Sequence, residues 1–163
     1  MQSVLFVCTA NICRSPMAEG LLKLKIAGQP DESNWKVESA GTWGLEGYPA
    51  AKEVQFILKE RGIDMSRHRS RIVTQQLIEA FNLVLTMETN HRDALKAEFP
   101  PMARKIFLLS EMVGAFFNIH DPIGSPLEEY RQTEALIERV LVEGFDRIRQ
   151  FSSREPTIPL PRR

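Results

Sequence analysis

The chain has 163 residues and a mass of 18.6 kDa, enough for one compact domain that buries about two thirds of its unfolded surface. With 43% hydrophobic and 26% charged residues it has an ordinary globular composition, and its formal net charge of +0 offers no basic field for nucleic acid. The start Met1–Val7 lacks the basic leader of a signal peptide, no apolar run approaches the roughly 20 residues of a membrane helix, and two cysteines in one short loop are no disulfide framework; the expected setting is a reducing cytoplasm.

Val4–Val7 is a short β-prone run of the kind buried on both faces of a sheet. The polar loop Cys8–Ser15 follows. Pro16 then falls in the first turn of a helix in which Met17, Leu21, Leu24 and Ala27 recur at helical spacing, stopped by Gly28-Gln29-Pro30. Trp35–Ala40 reads as a second strand ending at Gly41, and Ala50–Arg61 as a helix with Val54, Ile57 and Leu58 on one face, closed by Gly62. Thr74 is placed to cap a short helix through Ala80, Leu83–Met87 is a third strand, Thr89–Phe99 a helix stopped by Pro100-Pro101, and Ile106–Leu109 a fourth strand. Strands alternating with helices predict an α/β fold, a doubly wound four-stranded parallel sheet flanked by helices. Such sheets bind ligands beyond the carboxyl ends of their strands, where strand order reverses. Cys8 stands at the carboxyl end of the first.

Glu128–Phe151 reads as one long amphipathic helix with Tyr130, Ile137, Val140, Leu141, Phe145, Ile148 and Phe151 as its apolar stripe. A single domain is therefore expected over residues 1–151. The Pro-rich residues 152–163, with Pro156, Pro159 and Pro161 before Arg162-Arg163, are expected to stay extended or disordered as a solvated terminus.

Cys8-Thr9-Ala10-Asn11-Ile12-Cys13-Arg14-Ser15 sets a cysteine, five residues, an arginine and a serine between a buried strand and a helix start. Each part suits phosphoryl transfer. Successive loop N–H groups form an anion nest, and the helix N-terminus adds partial positive charge. The same field favours the thiolate of Cys8, the form that attacks phosphorus. Arg14 offers a planar fork to two phosphoryl oxygens, which lysine cannot match. Ser15 can donate to the sulfur and ease its departure. A bare Cys-x5-Arg pattern arises often by chance; its place after the first strand, with Ser15-Pro16 opening a helix, makes it specific.

The run Val7-Cys8-Thr9-Ala10-Asn11-Ile12-Cys13-Arg14-Ser15-Pro16-Met17-Ala18-Glu19 resembles the signature of the low-molecular-weight protein tyrosine phosphatases, and the similarity extends to the long last helix. The resemblance implies a phosphoprotein phosphatase working through a cysteinyl-phosphate, without metal or cofactor. Asp121-Pro122 is similar to the family's acid loop, so Asp121 is expected to protonate the leaving group and then activate water; Asp-Pro alone would be a common turn. The resemblance also implies that Asn11 holds the loop backbone while Ser39 and His68 hydrogen-bond to Asn11 or its neighbours. His91 has no such match and is expected to be solvated; His120 borders Asp121 and is a candidate to tune it. Ala10 departs from the family's glycine, a strain of about 1 kcal/mol if that position has positive φ. Cys13 is implied to trap an oxidised Cys8 as a Cys8–Cys13 disulfide.

Substrate choice is expected to rest on Ile12, Trp43, Leu45 and Ile123. The segment after Asp121-Pro122 resembles the bacterial branch that includes protein arginine phosphatases, in which a threonine stands at the Ile12 position. Ile12 instead offers an apolar surface to an aryl ring, which favours phosphotyrosine. A thioredoxin-coupled arsenate reductase would need further cysteines, and the presence of Cys8, Arg14, Ser15 and Asp121 together argues against a non-catalytic phosphate-binding or redox-sensing module. The two cysteines and three histidines show no metal-ligand spacing.

Overall fold

Strand β1 (Gln2–Cys8) is buried along its whole length, in a computed structural model that describes residues 1–44 and 46–153. Its side chains alternate between two cores, as the period of two in a strand requires. Val4, Phe6 and Cys8 enter the larger, with Met17, Leu22, Val54, Ile57, Ile137, Val140 and Ile148. Leu5 and Val7 enter the smaller, with Ile78, Phe81, Val84, Leu95 and Ile106. Each such side chain, taken from water, contributes about 1.5–3 kcal/mol.

Helix α1 (Arg14–Ile26) follows, then β2 (Trp35–Gly41), α2 (Lys52–Lys59), α3 (Gln75–Glu79), β3 (Leu83–Thr86), α4 (Thr89–Glu98) and β4 (Ile106–Leu108). The strands form one sheet in the order β2-β1-β3-β4, every neighbouring pair parallel. This is the doubly wound sheet expected from the alternation. The chain leaves β1 for β2 on one side and returns to β3 on the other, so the reversal point lies at the carboxyl end of β1. Thr74 caps α3, its hydroxyl accepting from the Leu77 N–H at 3.1 Å. Leu24, placed by its spacing on the core face of α1, is exposed instead; Leu22 and Ile26 are buried.

The expected single helix at the end is two, α5 (Leu127–Glu143) and α6 (Phe145–Ser152). Gly144 divides them because its backbone presses on Met112: a Cβ there would lie 2.9 Å from Met112 Cβ and 2.8 Å from the Val140 carbonyl oxygen. Beyond the break, Phe145 stacks on Trp35 and Phe151 on Phe107. Ser152, expected to open the loose tail, is the buried last residue of α6, its carbonyl accepting from Asn82 Nδ2 at 2.8 Å. The rest of the Pro-rich segment, residues 154–163, lies outside the described residues. Among the described residues, no helix is long and apolar enough to cross a membrane.

Candidate active site

The Cys8–Ser15 loop joins the carboxyl end of β1 to the first turn of α1. Cys13, the residue before that turn, caps it with no side chain, and no acidic residue follows there, so the helix N-terminus is left free for an anion. Donors from outside hold the loop's carbonyls. Cys8 O accepts from the Thr42 N–H at 2.9 Å, Thr9 O from Trp43 at 3.1 Å and Ile12 O from Ala51 at 2.9 Å, while Asn11 O accepts from His68 Nε2 at 2.7 Å. With the carbonyls engaged outward, N–H groups are what the loop offers to a ligand.

Asn11 holds the loop from within. It is fully buried, and its φ of 58° lies in the left-handed region that asparagine tolerates better than most residues. Its Nδ2 donates to Ser15 Oγ and to Ser39 Oγ, both at 2.9 Å, and its Oδ1 accepts from the Arg71 N–H at 3.1 Å. Ser39, on β2, donates onward to Glu19 at 2.6 Å. Ala10 is not at positive φ, so the strain expected of alanine there does not arise; the left-handed residue is Asn11.

Cys8 Sγ and Ser15 Oγ are 3.0 Å apart. The Ser15 oxygen already receives the Asn11 proton and lies 3.3 Å from the Ala40 carbonyl. Its one proton can therefore turn to the sulfur when Cys8 is a thiolate. Both cysteines are free and buried. Burial, reinforced by the charges of Asp121 and Cys8, pushes the Cys13 thiol up to about 12, so Cys13 stays protonated.

Arg14 is 1% exposed, yet its guanidinium meets groups from three segments, the phosphate loop, the end of β3 and the stretch from Ile119 to Asp121. Nη1 contacts a Glu88 carboxylate oxygen at 3.0 Å and donates to the Ile119 carbonyl at 2.8 Å. Nη2 donates to Thr9 Oγ1 at 3.3 Å and to Asp121 Oδ2 at 3.5 Å. Nε is buried without a partner among the described residues. Leaving such a donor unmet costs about 1–3 kcal/mol, and Nε with Nη2 forms the edge of the guanidinium that a tetrahedral oxyanion fits.

Asp121 therefore does reach the loop, from a turn in which its Oδ1 accepts from the Ile123 N–H at 3.1 Å. Trp43 and Ile123 are 73% and 52% exposed; Ile12 is half-buried against the larger core. Leu45 lies outside the described residues. His120 is exposed. His91, expected to be solvated, is 2% exposed: its Nε2 is 2.8 Å from Thr9 Oγ1 and its Nδ1 accepts from the Glu88 N–H at 3.2 Å. It caps α4 instead of facing water.

Three further residues were not singled out by the sequence. Glu88 follows the carboxyl end of β3, the strand beside β1, and only that adjacency could have flagged it. Arg71 braces the loop through Asn11 and the Ser39 carbonyl. Gly41 is required by close approach: a Cβ there would lie 2.4 Å from the Thr9 carbonyl oxygen. Among the described residues, no three His, Cys, Asp or Glu side chains are grouped so as to hold a metal ion.

The chain is similar to known proteins over most of its length. Residues 3–152 match the model of the low molecular weight phosphotyrosine protein phosphatase family. A protein-arginine-phosphatase of Geobacillus stearothermophilus is 39% identical over 142 residues, covering 84% of this chain and 92% of that protein. The crystal structure of a low molecular weight protein tyrosine phosphatase from T. tengcongensis superposes with a TM-score of 0.84 at 38% identity, over 90% of this chain and 99% of that one. A YwlE arginine phosphatase mutant with a phosphorylated active-site serine superposes with a TM-score of 0.81 at 33% identity, over 93% and 96%. A loop whose N–H groups and buried arginine suit an oxyanion, on a doubly wound fold matched over 90% of the chain, has one consistent reading: the chain belongs to the low molecular weight phosphotyrosine protein phosphatases and is a hydrolase.

Proposed function

We propose that the protein dephosphorylates phosphotyrosine in proteins through a phosphocysteine on Cys8. The observation that carries this is the unmet, buried Nε of Arg14, in a loop that runs from the buried Cys8 to the start of α1, which no side chain caps. Nε and Nη2 hold two phosphoryl oxygens while the loop N–H groups hold the others. The Cys8 thiolate forms the S–P bond as the bond from phosphorus to the tyrosyl oxygen breaks. Asp121, in its acid form, gives that oxygen its proton. As a carboxylate it then takes a proton from water, whose oxygen attacks phosphorus; the S–P bond breaks, and Ser15 receives the departing thiolate with a hydrogen bond. Because Cys8 must be a free thiol, the enzyme belongs in a reducing compartment, which the cytoplasm provides.

Ile12 is the reason for placing tyrosine first: an apolar side chain in the phosphate loop suits an aryl ring. Phosphoarginine is the second reading, favoured by the non-aromatic Ile123 after Asp121-Pro122 and by the 39% identity to a protein-arginine-phosphatase. Rates on matched phosphotyrosine and phosphoarginine peptides, for wild type and Ile12→Thr, decide between them. The expected result is a wild-type preference for phosphotyrosine that narrows or reverses in Ile12→Thr; a wild-type preference for phosphoarginine sinks the tyrosine assignment. Cys8→Ser should be inactive on both, whereas equal inactivity of wild type and Cys8→Ser would mark a binding module.

A further inference from the structure

His91 has no part in the chemistry above, yet it touches the phosphate loop from the first turn of α4. Its Nδ1 accepts from the Glu88 backbone N–H at 3.2 Å. A backbone N–H can only donate, so Nδ1 carries a lone pair and the ring is the neutral tautomer with its proton on Nε2. Burial, with the positive charge of Arg14 next in weight, holds its pKa down at about 4, so it stays neutral across the ordinary working range. Nε2–H therefore donates to Thr9 Oγ1, 2.8 Å away. Nη2 of Arg14, which also can only donate, gives its proton to the same oxygen at 3.3 Å.

Both lone pairs of the Thr9 hydroxyl are thereby used. The hydroxyl is a fixed acceptor and no longer a free rotor. Glu88, the residue whose N–H orients His91, holds the opposite side of the guanidinium through Nη1 at 3.0 Å. One helix start thus grips Arg14 twice, directly through Glu88 and indirectly through His91 and Thr9. With Nη1 and Nη2 both tied, the guanidinium cannot swivel about its own axis, and the edge made by Nε and Nη2 keeps its aim.

We propose that His91 is a positioning residue for the phosphate-binding arginine, acting through the Thr9 hydroxyl. The proposal rests on the reading of Arg14 as the group that holds the phosphoryl oxygens. Charge on those oxygens is met in the transition state by positioned donors, so a misaimed fork weakens transition-state binding more than substrate binding. A role limited to capping α4 would move stability alone.

Two substitutions separate the roles. His91→Asn keeps an oxygen near the Nδ1 position, able to accept from Glu88, but has nothing that reaches Thr9. His91→Gln keeps an N–H near the Nε2 position and gives up the cap. The readouts are inhibition by orthovanadate, turnover of para-nitrophenyl phosphate and thermal melting. His91→Asn and Thr9→Val are expected to weaken vanadate inhibition and lower kcat roughly 10- to 100-fold with a smaller change in KM. Their combination should be no worse than Thr9→Val alone. Thr9→Ser and His91→Gln should recover most of the loss, the latter despite a lower melting temperature. Wild-type vanadate inhibition in His91→Asn, or losses that add in the double variant, overturn the proposal. Arg14→Lys is the control: if it leaves vanadate inhibition untouched, the reading of Arg14 fails instead.

Discussion

The Cys8–Ser15 loop and the Asp121–Gly124 turn meet at one guanidinium and are built in opposite ways. In the first, Asn11, Arg14 and Ser15 are buried, and partners come from β2, from the segment between α2 and α3, and from the start of α4. In the second, Asp121, Ile123 and Gly124 are exposed. The turn is held mainly by its own bonds, Asp121 Oδ1 with the Ile123 N–H at 3.1 Å and Pro122 O with the Ser125 N–H at 2.9 Å. The contact with Arg14 and a hydrogen bond from the Gly124 backbone to the buried Tyr130 tie it to the rest of the fold. The contrast fits the chemistry proposed for each. A phosphoryl group is met best by dipoles already in place, since reorganising them would raise the barrier. An acid that alternately gives and takes a proton needs contact with water and the leaving group. Preorganisation and folding are therefore coupled in the loop and separable in the turn.

The largest effect should test that separation. Asp121→Asn is expected to lower kcat by about 10²- to 10⁴-fold, most for poor leaving groups, with vanadate inhibition intact. Stability should stay within about 0.5 kcal/mol, as for other exposed sites. Unchanged turnover across several aryl phosphates would remove the acid assignment; a large loss of stability would break the contrast.

Next comes the pH dependence of stability on the loop side. His91 titrates near its ordinary 6.5 in the unfolded chain and at about 4 in the fold, chiefly because it is buried. Between these values the unfolded chain binds more protons, so the stability this residue contributes is fully present above about 6.5 and is lost as pH falls towards 4. The whole difference is roughly 3 kcal/mol. Urea unfolding at pH 7 and pH 4.5 should show wild type losing more than His91→Asn; parallel losses would mean that another group governs acid unfolding.

Gly41→Ala and Gly124→Ala sharpen the comparison further. At Gly41 a Cβ collides with the loop backbone, so a cost of about 1–3 kcal/mol is expected together with weaker vanadate inhibition. Gly124 has φ 78° and open space around it; alanine there should cost about 1 kcal/mol of backbone strain and leave vanadate inhibition nearly unchanged. Similar losses of inhibition in both would deny that the loop alone is preorganised. The smallest effect is read after oxidation. In the proposed trap, peroxide would convert the Cys8 thiolate to a sulfenic acid, whose condensation with the Cys13 thiol would release water and form a disulfide. Thiol should restore more activity to oxidised wild type than to Cys13→Ser, and recovery should improve when oxidation is carried out at higher pH, where more Cys13 ionises. Equal recovery in both proteins ends the trap hypothesis.

The sequence by itself determined the strand–loop–helix unit that carries Cys8 and Arg14, and the alternation that makes the sheet parallel. Both depend on near neighbours: apolar periodicity, a loop bounded by a buried strand and a helix start, and turn residues between elements. The same local signals misjudged the last helix, because Gly144 breaks it against Met112, a residue from another segment. The family resemblance, which has no match for His91 and a glycine at the Ala10 position, in turn left His91 in water and raised strain at Ala10, where the left-handed residue is Asn11. Tertiary structure alone decided that Glu88 and His91 stand beside the loop, since strand order puts the end of β3 next to the end of β1. It also decided that the backbone at Gly41 must pass too close to Thr9 for any side chain. Distances between the ends of different strands follow from packing, and no periodicity within a single segment encodes them.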